Sequence, residues 1–251
     1  MSKRHETIGI KQAIRIEWLD KAVNLLLSGL DTKSIRAELH DYLSERKGDG
    51  TTGERSKNTR SFAVTNIMNI WVTPAKEILP LRDDALNLLK EKPDLAKAMH
   101  WAMICSAYPF WYNTAVQTGR LLNLQDQVTQ KQIIARLKEH YGDRNTIERY
   151  AKYVISAFVY WDVLKETAEK GCYTQGKRNK IMDEEAIALL CEAMLLATKE
   201  GKSTIGDFVN SPALLLFDLS PIAAARLENI NSRLHLSVYS AGDEYIFLEN
   251  Q

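Results

Sequence analysis

The chain has 251 residues, 45% of them hydrophobic and 26% charged, with 33 Lys and Arg against 32 Asp and Glu. That length supports one large or two small domains, and the apolar fraction excludes a disordered, fibrous or disulfide-stapled chain. A net charge of +1 excludes a uniformly basic polyanion binder, so any nucleic-acid surface has to be local.

Lys3, Arg4, His5 and Glu6 lead into an amphipathic helix rather than an apolar run, which argues against a signal peptide. Ile14, Trp18, Ala22, Leu25 and Leu26 share one helical face, and Asp31 caps a second helix carrying Ile35, Leu39, Tyr42 and Leu43. Glycines interrupt at 48–53. Asn58 restarts a helix with Phe62, Ile67, Ile70 and Trp71 on its inner side, and Thr73-Pro74 ends it. Further helices fit residues 75–91, 94–107 and 110–123. Residues 98–119 lack Lys, Arg, Asp and Glu and approach the length of a membrane span. His100, Pro109, Asn113 and Gln117 break the run, which therefore reads as two buried helices meeting at Tyr108-Pro109, with no membrane involved.

Residues 48–56 have the glycine spacing of a phosphate-binding P-loop, but Glu54 stands where that motif needs Lys, and no strand precedes it. Arg46, Lys47, Arg55, Lys57 and Arg60 flank the glycines, so a mobile basic loop at a helix start is one reading and a solvated connection the other. His5, His40, His100, His140 and His235 show no metal-binding spacing, and neither a nucleophile elbow nor a catalytic carboxylate pair stands out. No cofactor, metal or catalysis is expected. Cys105, Cys172 and Cys191 are scattered, as reduced thiols of a cytosolic protein would be. The five tryptophans fall on apolar helical faces and read as core.

From residue 127 the pattern is that of two helices, a tight turn and a hairpin. Thr129 starts the first helix, with Ile133, Ile134 and Leu137 inward, and Gly142-Asp143-Arg144 turns the chain. Asn145 with Glu148 makes a capping box for the second, which turns Ile147, Ala151, Val154, Ile155 and Phe158 to the core. Arg144, Thr146, Arg149, Lys152, Tyr153 and Ser156 are left outward. A strand at 161–165 then leads to a hairpin tip at Gly171, a second strand at 172–174 and the basic stretch 176–180. This is the outline of a winged helix-turn-helix, whose second helix enters the DNA major groove. Residues 127–180 hold 11 Lys and Arg against 6 Asp and Glu, whereas 181–251 hold 4 against 11 and 1–126 hold 18 against 15. The basic footprint thus falls on the helix pair and hairpin.

Beyond it, residues 182–199 read as a long amphipathic helix with acids in the first turn. Residues 233–239 and 244–249 alternate as a final hairpin, which must pack on helices or on another subunit because a lone hairpin is marginal in water.

Three features resemble the BrxA family of bacteriophage exclusion (BREX) systems. They are the early Leu25-Leu26-Leu27-Ser28-Gly29-Leu30-Asp31 turn, the basic helix start Arg55-Ser56-Lys57-Asn58-Thr59-Arg60, and a helix opening Arg144-Asn145-Thr146 that leads through Val154-Ile155 to Trp161-Asp162-Val163-Leu164. The resemblance spans about residues 18–175 and implies a small, mostly helical, non-catalytic DNA-binding protein working beside larger defence proteins. The glycine-rich insertion and the acidic C-terminal part depart from it.

The resulting expectation is a mainly α protein: an N-terminal helical bundle (1–126), a central winged helix-turn-helix (127–180) and a small acidic C-terminal α+β segment (181–251). Double-stranded DNA is the expected partner. Arg149, Lys152 and Tyr153 face a groove, with Thr146 beside them; Arg144, Lys165, Lys170, Lys177 and Arg178 hold phosphates; Arg55, Lys57 and Arg60 add a second contact. The alternative is a scaffold whose winged helix docks a protein.

Overall fold

A computed structural model describes residues 3–238 and 244–249, and among them it is mainly helical, with eleven α-helices and small sheets. In chain order, α1 (Ile16–Leu27) turns Trp18, Leu19, Ala22, Val23 and Leu25 inward. Asp31 caps α2 (Thr32–Tyr42), its carboxylate accepting from the Lys33 and Ser34 amides at 2.9 and 3.1 Å. The third helix, α3 (Lys57–Ile67), begins one residue before the expected Asn58 and runs into a π-helical turn at Met68–Val72. Ile67, Ile70 and Trp71 are buried as expected, but Phe62 is 43% exposed. Its neighbours Ala63 and Val64 carry the inner stripe instead, and the Lys11 ammonium lies 5.1 Å from the Phe62 ring centre.

After α4 (Leu79–Glu91) come α5 (Ala96–Ala107) and α6 (Pro109–Leu122), the latter with Pro109 in its first turn, where a missing N–H costs nothing. Ala98 through Ser106 are all buried, which explains the charge-free stretch: α5 is covered by protein on every side. No helix of the described residues is long and apolar enough to cross a membrane.

The next unit comprises β1 (Gln127–Thr129), α7 (Gln130–Tyr141), α8 (Asn145–Tyr160), β2 (Leu164–Glu166) and β3 (Cys172–Gln175). Strand β3 is central, with β1 and β2 antiparallel on its two sides. The remaining elements are β4 (Asn179–Ile181), α9 (Glu184–Ala197), β5 (Lys202–Thr204), α10 (Ile205–Val209), β6 (Phe217–Leu219), α11 (Ala224–Ile230), β7 (Leu234–Val238) and β8 (Glu244–Leu248). β4 pairs in parallel with β6. β7 and β8 form the expected hairpin, whose connection lies outside the described residues, and β5 adds a third strand on the free edge of β8.

Helix α9 corrects the sequence reading. It is not amphipathic: every residue from Ala186 to Ala197 is buried, because α9 packs along α5 with α4, α11 and β8 also against it. Even Glu192 is 1% exposed, and it is satisfied by Arg233 and Asn231, which donate to its carboxylate at 2.6–2.7 Å.

The core is one continuous cluster running from Ile10 to Ile246, so all three segments of the chain share it. All five tryptophans are fully or almost fully buried. Trp101, Trp111, Trp161, Phe158 and Phe217 meet at ring-centre distances of 5.1–6.4 Å, joining α5, α6 and α8 to β6.

Candidate nucleic-acid interface

The helix pair is built from its own caps and apolar stripes. Thr129 and Gln132 form a reciprocal capping box at the start of α7, and Gly142 ends the helix at φ +87°, a conformation that suits glycine. Ile133 and Leu137 of α7 and Ile147, Ala151, Val154, Ile155 and Phe158 of α8 are fully buried. The start of α8 differs from the expected capping box. Arg144 occupies the cap without a side-chain bond, and Asn145 is already helical. Glu148 does not reach back, because two ammonium groups hold its carboxylate, Lys152 Nζ at 2.7 Å and Lys138 Nζ at 3.9 Å. Both salt-bridge charges lower the Glu148 pKa below the usual carboxylate value, the Lys152 hydrogen bond most of all.

The outward residues stand where the period places them, in different electrostatic states. Arg144, Thr146, Arg149 and Lys152 are exposed, and Tyr153 and Ser156 are half-buried. Arg144 donates to the Tyr141 carbonyl at 2.9 Å. The Arg149 guanidinium lies 5.1 Å from the Tyr150 ring centre, and Tyr150 stacks on Tyr153 at 6.4 Å. Lys152 is bound to Glu148, so its charge is partly neutralised.

In the hairpin, Lys165 pairs across the sheet with Thr174 and is exposed. Lys170 is exposed in the β2–β3 turn, which the Gln130 amide ties to α7 through the Gly171 carbonyl at 2.8 Å. Lys177 is exposed just past the hairpin. Arg178 is different: it pairs with Asp218 at 2.8 Å and donates to the Phe217 carbonyl, so it fastens β4 to β6. The fold brings Arg144, Thr146, Arg149, Lys152 and Tyr153 onto one helix, with Lys165 and Lys170 on the adjoining hairpin, and engages Arg178 elsewhere.

The second basic group is split. Arg55 is 6% exposed, its guanidinium 4.7 Å from the Trp18 ring centre and bonded to Gln12 Oε1 at 3.1 Å, so burial corrects its expected role as an outward phosphate contact. That burial pushes its pKa down. Lys57 is exposed and Arg60 half-buried in the first turn of α3. Nor is the glycine loop an open tether. Arg46 bridges to Thr52, Asp49 Oδ1 accepts from both the amide and the hydroxyl of Thr51, and Arg46 stacks 3.8 Å from the Tyr42 ring centre.

Sequence reading missed Arg15, which lies 4.4 Å from the Tyr160 ring centre at the end of α8 and donates to the Asp49 carbonyl at 2.8 Å, tying that helix to the loop. It also missed Arg36 and His40 of α2, which share an electrostatic neighbourhood with Lys57 and Arg60. Residues of α2 and α3 come together only through tertiary packing, and no spacing announces it. Comparison with family models, curated proteins and solved structures finds no match to this chain.

Proposed function

We propose that the unit from β1 to β3 is a winged helix-turn-helix through which the protein binds double-stranded DNA without catalysis. The observation that carries this reading is the order strand, helix, three-residue turn, helix, hairpin, with sheet order β1-β3-β2 and an exposed face on α8 bearing Arg144, Thr146, Arg149 and Lys152. Lys165 and Lys170 project from the hairpin beside it and suit phosphate contacts, as does Lys177. The outward set is richer in phosphate-type than base-reading side chains, so sequence preference is weak. The resemblance to BrxA proteins, which rests on the residues named above, supports a role beside larger proteins of an anti-phage defence system.

The test is a duplex titration at several salt concentrations. About four to six neutralised phosphates give a slope of log K against log salt of roughly −4 to −5. A flat response, or no binding at low salt, removes this function. One observation favours protein docking instead: the stacked Tyr150 and Tyr153 and the Lys152–Glu148 pair make part of the α8 face aromatic and neutral. That reading predicts the flat response.

A further inference from the structure

Helix α8 starts one residue earlier than its sequence suggests, and the shift changes what Asn145 is for. Arg144 holds the extended cap position, its carbonyl accepting from the Ile147 amide at 2.9 Å, so Asn145 is the first helical residue. Relieved of capping, the Asn145 side chain is exposed and takes no hydrogen bond among the described residues. Arg149 follows four positions on. At about 3.6 residues per turn the two side chains share one outward stripe, whereas Ile147, Ala151 and Ile155 point to the core.

Charge is sorted around the same turn. The acids at this end of the helix are occupied, Asp143 by Lys138 at 2.8 Å, and Glu148 by Lys152 at 2.7 Å and Lys138 at 3.9 Å. Arg149 therefore has no carboxylate partner among the described residues, although Glu148 is its neighbour in the chain. Its guanidinium is steadied 5.1 Å from the Tyr150 ring centre, with Nη2 3.4 Å from the Tyr150 hydroxyl, which leaves its other donors open. A carboxamide with donors and an acceptor, and a guanidinium with a fork of donors, are the groups that match purine edges. Adenine presents the N7 acceptor and the N6 amino donor, and guanine the acceptors N7 and O6. A phosphate would meet only the donors of Asn145 and leave its carbonyl without a partner, whereas adenine N6 supplies one. The start of a groove helix is also the part that reaches base edges.

We propose that Asn145 and Arg149 read two nearby purines in the DNA major groove, Asn145 an adenine and Arg149 a guanine. This assignment rests on α8 being the groove helix and adds base edges to a face whose other cations suit phosphates. Four residues of helix rise about 6 Å, under two base-pair steps of about 3.4 Å, so the purines are adjacent or next but one. The preference is thus confined to a short segment, in keeping with weak selectivity elsewhere. The test partitions a randomised duplex pool on the intact chain and sequences the bound and free fractions. The selected duplex is then compared with copies carrying 7-deazaadenine or 7-deazaguanine, which lose N7 but keep Watson–Crick pairing. Enrichment of an adenine and a guanine within two steps is expected, and each 7-deaza copy should bind about tenfold more weakly. Asn145→Ala should abolish the 7-deazaadenine difference while affinity for an unrelated duplex stays within about twofold and its salt slope is unchanged, since no charge is lost. Arg149→Gln should abolish the 7-deazaguanine difference. If the alanine variant is unstable, Asn145→Ser repeats the test with a residue that suits a helix start. Duplex binding without enrichment, or 7-deaza differences that persist in the variants, overturns the assignment and leaves α8 as a phosphate-binding helix. Failure to bind any duplex at low salt removes the α8 reading and this assignment with it.

Discussion

At the scale of single residues, burial and partners separate side chains that composition treats alike. Arg55 and Arg149 are both arginines beside aromatic rings, yet one is sealed against Trp18 and the other lies open beside Tyr150. Only the second can meet a large ligand. Arg149→Glu combined with Lys152→Glu reverses the charge of the α8 face while leaving Ile147, Ala151 and Ile155 untouched. The stability cost is that of one ring contact and one exposed i,i+4 pair, both weak in water, with Glu148 adding modest repulsion. Duplex affinity should fall by two orders of magnitude or more at low salt, measured by fluorescence anisotropy, against a thermal shift of a few degrees. Unchanged affinity would show that α8 does not face the duplex. Arg178, engaged with Asp218, should contribute less to binding than Lys177 beside it.

Among elements, glycine positions show where backbones press together. Gly176 follows β3 and donates to the Val163 carbonyl at 2.7 Å, and a Cβ placed on it would run into the Asp162 carbonyl. Gly176→Ala must therefore push the end of β3 off the start of β2, at a cost of about 1–3 kcal/mol. Faster hydrogen exchange of the β2–β3 amides should accompany it. Gly142→Ala has open space around it and only the strain of φ +87° to bear, so its hairpin amides should remain protected. Equal loss of protection in both would refute the crowding argument. α7 and α8 were legible because each is long, periodic and ended by a recognisable turn. β1 was not: its three residues pair with Cys172, Tyr173 and Thr174, more than forty positions away, and no local pattern encodes that partner. The burial of Arg55 was hidden for the same reason, since Trp18 belongs to another helix. For α9 the signal was present. Leu189, Leu190, Cys191, Ala193, Met194, Leu195 and Leu196 leave no polar face except Glu192, the mark of a helix surrounded by protein.

Over the whole molecule, stability depends on protons through one buried imidazole, His100, and two half-buried ones, His5 and His40. Trp71 donates to His100 Nδ1 at 3.1 Å, which leaves Nε2 to carry the proton 2.9 Å from Asp20 Oδ1. Protonating Nδ1 would set two donors against each other. Burial holds His100 below its ordinary pKa despite Asp20, and burial lowers His5 and His40 in the same way. The unfolded chain takes up these protons near pH 6.5, whereas the folded chain takes them up only at lower pH. Stability is therefore greatest above about pH 6.5 and falls as pH drops below it. Urea midpoints should decline between pH 7.5 and 5.5, and His100→Gln should flatten that decline; a midpoint that rises on acidification contradicts the assignment.

The placement of α9 bears on how the protein is made. A ribosome delivers α5 long before α9, and α5 needs α9 along its flank to be covered. Until residue 197 has emerged, the nascent chain holds an unfilled apolar slot at its centre, even though the helix pair and hairpin from 127 to 175 are already complete in sequence. Closure of this core thus waits for residue 197, and α5 stays without its main packing partner until α9 fills the gap.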